Sequence, residues 1–335
     1  MVRATVIDVA RLAGVSPKTV SNVVNGTVTV SPKTRARVEQ ALAELDYVPN
    51  LSARGLRNGR TGVIALALPD LSTPYSAEVA HHFVKSATER GWSIQIEETG
   101  IDLKREEQLL STARAHLVDG LILNPVLLET TAVQRGVSLP PVVLIGEVDQ
   151  PIADHVWVDN VAAMREVTQL LIAEGHRRIA FLGVMNSASS RLRLQGFHEA
   201  MDLAGLERIP GWEISCAQWT AQGGAQAVTE FLQHHPAPDA IVCLTDSLAL
   251  GALNAVASAG LRVPEDLSIV GYDDVPEAAF MVPSLTTVSF DKHELADAAL
   301  TLLGARIRDR DRPIERITVP HTIVRRASTT ARGPR

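Results

Sequence analysis

The 335-residue sequence predicts an α/β protein in two parts: an N-terminal three-helix helix-turn-helix headpiece, then a two-lobe, doubly wound body. Three observations carry that prediction. Residues 1–60 hold nine Lys/Arg against four Asp/Glu, a charge of +5, whereas the rest holds 23 against 34, a charge of −11. Within the basic head, cap residues followed by proline start short helices with apolar residues at 3.6-residue spacing. Beyond it, short apolar runs alternate with helical stretches, the pattern of parallel strands covered on both faces.

In the head, Thr5 and Asp8 stand at capping-box spacing before Val6–Ala13, and Gly14 supplies the stop. Ser16 caps a second helix with Pro17 at its first position; Val20, Val23 and Val24 form its apolar stripe and Asn25-Gly26 ends it. Ser31-Pro32 starts a third helix whose inner face is Val38, Ala41, Leu42 and Leu45. The short gap between the first two helices makes this a helix-turn-helix. The face opposite the valines carries Pro17, Lys18, Ser21 and Asn22, near the helix end that such motifs push into the major groove. Lys18 suits guanine O6/N7 and Asn22 suits adenine, while Thr19, Ser21 and Thr34 suit phosphate oxygens. Thr5, Ser16 and Asn25, at helix ends in the same head, complete the expected DNA-binding set. The competing reading is an ordinary solvated face of a small helical domain.

In the body, strands are expected at Val63–Leu68, Ser93–Ile96, Gly120–Leu123, Val142–Ile145, Arg178–Leu182, Ala240–Leu244 and Leu267–Val270, with another starting near Leu285. Helices are expected near 76–90, 103–116, 128–135, 190–204, 222–234, 247–259 and 292–308. The resulting division is 1–48 for the DNA-binding head, 49–60 for a hinge and linker, 61–327 for the body and 328–335 for a tail.

The head's motifs are specific. Thr5-Val6-Ile7-Asp8-Val9-Ala10, Ala13-Gly14-Val15-Ser16, Thr19-Val20-Ser21-Asn22-Val23-Val24-Asn25 and Val30-Ser31-Pro32-Lys33-Thr34-Arg35 closely resemble the headpiece of the lactose-repressor/galactose-repressor (LacI/GalR) family of bacterial transcription regulators. Leu45-Asp46-Tyr47-Val48-Pro49-Asn50 and Ala53-Arg54-Gly55-Leu56-Arg57 resemble its linker and hinge helix. Residues 51–57 are too short for a stable isolated helix, which needs about 12–15 residues. The resemblance implies that two such helices pair in the minor groove, with Leu56 as an apolar wedge and Arg54 and Arg57 along the phosphates. A flexible basic linker is the alternative. Pro17, Lys18 and Asn22 differ from the side chains of the family's lactose-responsive member, so no operator sequence carries over.

A two-lobe body whose chain crosses between lobes more than once resembles the periplasmic-binding-protein fold, and Pro283-Ser284-Leu285-Thr286-Thr287-Val288 resembles the family's last crossover. Ligands then belong in the cleft faced by the strand C-terminal ends. Glu147, Asp159, Asp246 and Asp273 stand at such ends, where carboxylates accept paired hydroxyl hydrogen bonds. Arg193 adds a fork of donors, and Tyr75 and Trp219 offer faces to a sugar's CH surface. By resemblance Arg193 and Asp273 lead the effector-binding set, followed by Glu147, Asp159, Thr245, Asp246, Trp219 and Tyr75; Thr245 replaces the Asn common in the family. Any one of these carboxylates could instead serve a turn or a cap.

The implied function is a sequence-specific regulator of transcription, expected to be a repressor, that binds double-stranded operator DNA as a homodimer under control of a small-molecule effector, expected to be a sugar. The effector would reorient the lobes nearest the DNA and so decide whether the hinge helices pair. A purine-dependent regulator and a solute-binding protein are the alternatives. Enzyme signatures are missing: there is no Gly-x-Ser-x-Gly elbow, phosphate loop, dinucleotide glycine fingerprint or His-Glu-x-x-His. The adjacent pairs His81-His82 and His234-His235, and the isolated Cys216 and Cys243, lack metal-ligand spacing, so neither metal nor cofactor is expected. No apolar run reaches eighteen residues, and acid and Arg interrupt the N-terminus, so a cytoplasmic protein without membrane contact is expected. After Arg326 no apolar heptad occurs, which favours a dimer over a tetramer.

Overall fold

Thr5 starts the first helix as its spacing predicts: its hydroxyl accepts from Asp8 N at 3.3 Å while Asp8 Oδ2 accepts from Thr5 N at 3.0 Å. The computed structural model describes residues 4–25, 28–47, 60–112, 118–128, 141–148, 151 and 153–332, and divides between Thr61 and Gly62. The head comprises α1 (Val6–Ala13), α2 (Pro17–Asn25) and α3 (Pro32–Glu44). Ser16 and Ser31 cap α2 and α3 through Thr19 N and Thr34 N, at 3.1 and 3.3 Å. Val9, Ala10, Ala13, Val20, Val23, Val38 and Ala41 form its core, with Val24, Leu42 and Leu45 packed against it. Arg37, on α3, donates to the carbonyls of Ala13 and Gly14, closing the end of α1.

The body begins with β1 (Val63–Leu68), α4 (Pro74–Glu89), β2 (Ser93–Glu98), α5 (Leu103–Thr112), β3 (Gly120–Leu123), β4 (Val142–Ile145) and β5 (Asp154–Val158). Then come α6 (Asn160–Ala173), β6 (Ile179–Val184), α7 (Ala188–Leu203), β7 (Glu213–Ser215), α8 (Ala221–His234), β8 (Ala240–Cys243), α9 (Asp246–Ser258) and β9 (Ser268–Tyr272). A 3-10 turn (Pro276–Ala279), β10 (Thr286–Phe290), α10 (Lys292–Arg308), β11 (Arg316–Val319) and β12 (His321–Val324) complete it. The first sheet runs β11-β5-β4-β3-β1-β2, all parallel. The second runs β12-β10-β9-β8-β6-β7, parallel except for the antiparallel β10/β12 pair. β3, β4, β8 and β9 are buried along their whole length, as strands covered by helices on both faces must be. Close helix pairing depends on Gly196, where a Cβ would fall 2.3 Å from the carbonyl oxygen of Val161 on α6.

The chain passes between the sheets through α6, through α10 and at Pro320. The crossover expected at 283–288 is corrected: residues 286–290 form β10 beside β9 in the second sheet, and the chain leaves that sheet only after Phe290. No helix was expected over 160–173, yet Asn160, Ala163, Met164, Val167, Thr168 and Leu171 are buried at helical spacing along α6. Within the segment expected as a tail, residues 328–332 are instead anchored. Ile269 N donates to Ser328 O at 2.9 Å, Ser328 Oγ donates to Ile269 O at 2.6 Å, and Arg332 pairs with Asp239 at 3.1 Å. The expected hinge helix and the helix near 128–135 lie outside the described residues.

Candidate functional site

On the head, Ser16, Pro17 and Lys18 are exposed at the start of α2, and Thr19, Ser21 and Asn22 are half-buried along it. Several of the polar groups expected to meet DNA already serve the helix ends. Ser16 Oγ lies 2.9 Å from Thr19 Oγ1, Ser31 Oγ donates to Thr34 Oγ1 at 2.9 Å, and Thr5 Oγ1 donates to Asp8 at 2.6 Å. Lys18 is thus the exposed cation at the helix end suited to a groove. Asn25 closes α2. Arg54, Leu56 and Arg57 lie outside the described residues.

In the body, the ends of strands from both sheets enclose a cleft of about 650 Å³, a figure that includes space open to solvent. The first lobe contributes Asp70, Thr73, Tyr75 and Ser76 from the turn after β1, Asn124 and Val126 after β3, and Glu147 after β4. Thr73 caps α4, accepting from Ser76 N at 3.3 Å, with Pro74 fixing the first turn that carries Tyr75. The loop at Val126 is held from below by buried Glu106, whose carboxylate accepts from Val126 N at 2.8 Å and Leu127 N at 3.1 Å. Burial pushes the Glu106 carboxyl up, against the pull of those backbone donors.

The second lobe contributes Ser189 and Arg193 from α7, Trp219 after β7, Thr245 and Ser247 after β8, and Asp273 after β9. Arg193 is the centre of the site and only 5% exposed. Its Nε donates to Asn160 Oδ1 at 2.7 Å, Nη1 to the carbonyl of Leu244 at 2.5 Å, and Nη2 to Glu147 Oε1 at 3.1 Å. The guanidinium lies 3.5 Å from the ring centroid of Tyr272, and Asp273 Oδ1 is 3.9 Å from Nη1. Burial opposes its charge, but Tyr272, Asp273 and Glu147 outweigh that and hold the guanidinium above its ordinary value. Burial drives the Asp273 carboxyl well upward, with Asp246 and Glu147 adding to the rise and Arg193 and Lys292 opposing it. The Tyr75 hydroxyl is raised by burial and then by Glu147 and Asp273. Trp219 Nε1 and the Tyr272 hydroxyl are buried without a hydrogen-bond partner among the described residues.

Six of the eight expected effector residues, Tyr75, Glu147, Arg193, Trp219, Thr245 and Asp273, therefore meet around one cleft. Asp159 and Asp246 do not line it. Asp159 caps α6, accepting from Ala162 N at 2.9 Å. Asp246 is fully buried: Oδ1 accepts from Thr287 Oγ1 at 2.6 Å and Oδ2 from Val275 N at 2.9 Å, so both oxygens brace β10 and the 273–275 loop. Burial raises its carboxyl to about 7. Thr245 caps α9 through Leu248 N at 3.3 Å while facing the cleft. The polar residues Asp70, Thr73, Ser76, Asn124, Ser189 and Ser247 also line the cleft, beyond those expected from sequence. Asn124 follows an apolar run directly, and Ser189 stands four residues before Arg193 on one helix face, so both left a signal.

The arrangement sets two carboxylates around one guanidinium, suiting a ligand that both donates and accepts. Among the described residues no helix is long and apolar enough to cross a membrane, and no group of His, Cys, Asp and Glu is placed to hold a metal ion.

Residues 5–50 match the family described as bacterial regulatory proteins, lacI family, and residues 168–329 match the periplasmic binding protein-like domain. The chain is 34% identical to the ribose operon repressor of Escherichia coli (strain K12) over 97% of its own length and 99% of that protein. It is 33% identical to the HTH-type transcriptional repressor PurR of Aliivibrio salmonicida, covering 92% of this chain and 93% of that one. The crystal structure of the lac repressor dimer bound to operator and the anti-inducer ONPF superposes with a TM-score of 0.86 at 31% identity, covering 98% of this chain and all of that one. These relatives are transcriptional repressors rather than enzymes. With its head, two-sheet body and near-full-length relatives in agreement, the chain belongs to the lacI family of bacterial regulatory proteins, DNA-binding regulators of transcription controlled by small-molecule effectors.

Proposed function

We propose that the protein is a homodimeric repressor whose operator affinity is set by a small polyhydroxylated effector, a mono- or disaccharide, bound between the lobes. The observation that carries this reading is Arg193 held between Glu147 and Asp273 at the cleft. Such a set donates to one hydroxyl oxygen and accepts from its neighbours, with Trp219 as a face for the ring. The ribose operon repressor among the relatives supports a sugar. A purine is the second reading, favoured by the relative PurR and by two aromatic side chains, Tyr75 and Trp219, on the cleft. The two carboxylates weigh towards the sugar.

DNA recognition rests on Pro17, Lys18, Ser21 and Asn22 at the front of α2, supported by Arg54, Leu56 and Arg57 of the hinge segment. The cytoplasm, where DNA is accessible, is the compartment this role requires. Effector and operator must alter each other's affinity by one common factor, typically about 5- to 150-fold in such systems. A thermal-shift panel of pentoses, hexoses, disaccharides, hypoxanthine and guanine tests the reading, since a ligand of the folded state raises the midpoint. A shift with a sugar is expected; a shift with a purine base alone overturns it.

A further inference from the structure

Lys292 opens α10 where the chain leaves the second sheet, and its side chain is buried. Its Nζ donates to the carbonyl of Asp273 at 2.6 Å and to that of Asp274 at 3.3 Å. The same ammonium lies 3.2 Å from Glu78 Oε2 on α4 and 5.1 Å from the ring centroid of Phe290. One cation thus touches the loop after β9 in the second lobe and a helix of the first.

The backbone it meets is unusual. Asp273 has φ 115 and Asp274 has φ 49, two consecutive left-handed residues with side chains. Such conformations persist only where the surroundings over-determine them. Here Asp273 N donates to Val288 O at 2.9 Å, Asp274 N to Thr287 Oγ1 at 3.4 Å, and Arg326 Nη2 to Asp274 Oδ1 at 2.6 Å. Lys292 satisfies the two carbonyls that this turn directs inward, and the turn places the Asp273 carboxylate on the cleft beside Arg193. Glu78 lies one helical turn beyond Tyr75, whose ring lines the opposite wall.

We infer that Lys292 is a positioning residue for the cleft: it fixes the Asp273 carboxylate through the backbone of residues 273 and 274, and through Glu78 it holds that loop in register with the α4 turn carrying Tyr75. The inference rests on the reading of Asp273 as an effector ligand, but it concerns geometry that exists without effector. Glu78→Gln combined with Lys292→Met removes both members of the ion pair, so Glu78 is not left as a charge without its partner.

In a ligand-free crystal structure of this double variant, Asp273 is expected to leave the positive-φ region and its carboxylate to move away from Arg193. Titration with D-ribose should show at least tenfold weaker binding than the parent, and Asp273→Ala added on top should cost nothing more, because Lys292 acts through that side chain. An unmoved Asp273 loop, or additive losses, overturns the inference. If the parent itself does not bind D-ribose and the loop still moves, the positioning role stands and the sugar reading is what fails. Should the double variant not fold, Lys292→Arg, whose wider fork cannot meet both carbonyls in the same geometry, is read by the same structure and titration.

Discussion

Arg193 Nη2 donates to Glu147 Oε1 at 3.1 Å, joining α7 of the second lobe to the end of β4 in the first. Both side chains are largely out of water, so the pair depends on Asn160 and the Leu244 carbonyl to complete the guanidinium's hydrogen bonds. Arg193→Met strands Glu147 and Asp273, and is expected to cost about 3 kcal/mol of stability and to weaken effector binding by more than tenfold. Glu147→Gln keeps an acceptor for Nη2 and should cost less than half as much. Urea denaturation of the two variants checks this; equal losses contradict the pairing.

Two buried groups give stability opposite slopes with pH. Burial, then the nearby Arg332, lowers the His176 imidazole from 6.5 to about 4. Between those values the unfolded chain takes a proton that the folded chain refuses, so this contribution is lost as pH falls from 6.5 towards 4. Asp246 is raised by burial from 3.8 to about 7, so its contribution is present below 3.8 and is lost as pH rises through 7. His176→Leu should therefore gain relative stability at pH 5 over pH 7, and Asp246→Asn at pH 7 over pH 5. Urea midpoints at both pH values test the two signs, and a reversal in either variant contradicts that residue's assignment.

Much of this was legible because local chemistry and tertiary position agree. Thr5, Ser16 and Ser31 start their helices where a cap must be, and the apolar runs at 63–68, 120–123 and 142–145 are buried strands. The carboxylates show the limit. A strand's C-terminal end also precedes a helix, so Asp159 and Glu147 look alike in sequence although one caps α6 and the other faces the cleft. Asp246 looked equally suitable, yet its role depends on Thr287 and Val275, 41 and 29 residues away. α6 is less legible for a different reason: Asp159-Asn160 serves both as a strand end and as a helix start, since the Asp159 carboxylate that follows β5 also caps α6.

Lys18 and Leu56 should separate two modes of DNA contact. Lys18→Ala is expected to weaken operator binding by about 1–3 kcal/mol and relax preference at one base pair, while Leu56→Ala should keep nonspecific binding but lose operator bending. Binding to a selected operator and to scrambled DNA at two salt concentrations, with a circular-permutation bending assay, checks both. A Leu56→Ala protein that bends DNA like its parent contradicts the wedge.

Phe280 and Val282 are 84% and 93% exposed after the 3-10 turn, and we assign these apolar groups to the interface of the proposed dimer. Replacing both with Asp should shift sedimentation from dimer to monomer and reduce affinity for a two-fold operator while leaving the melting midpoint of the body nearly unchanged. An unaltered dimer places the interface elsewhere.

Control of DNA affinity by a ligand held at Asp273, as proposed, is tested most directly by operator binding of the parent and of Asp273→Ala, each with and without the sugar that gives the largest thermal shift. The parent's operator dissociation constant should change by about 5- to 150-fold on adding the sugar. Asp273→Ala should bind operator alone as the parent does, yet need roughly tenfold or more sugar for the same response, the effect of about 1–3 kcal/mol from one unmet hydrogen bond. A variant that responds to sugar at the parent's concentration would show that Asp273 does not hold the effector.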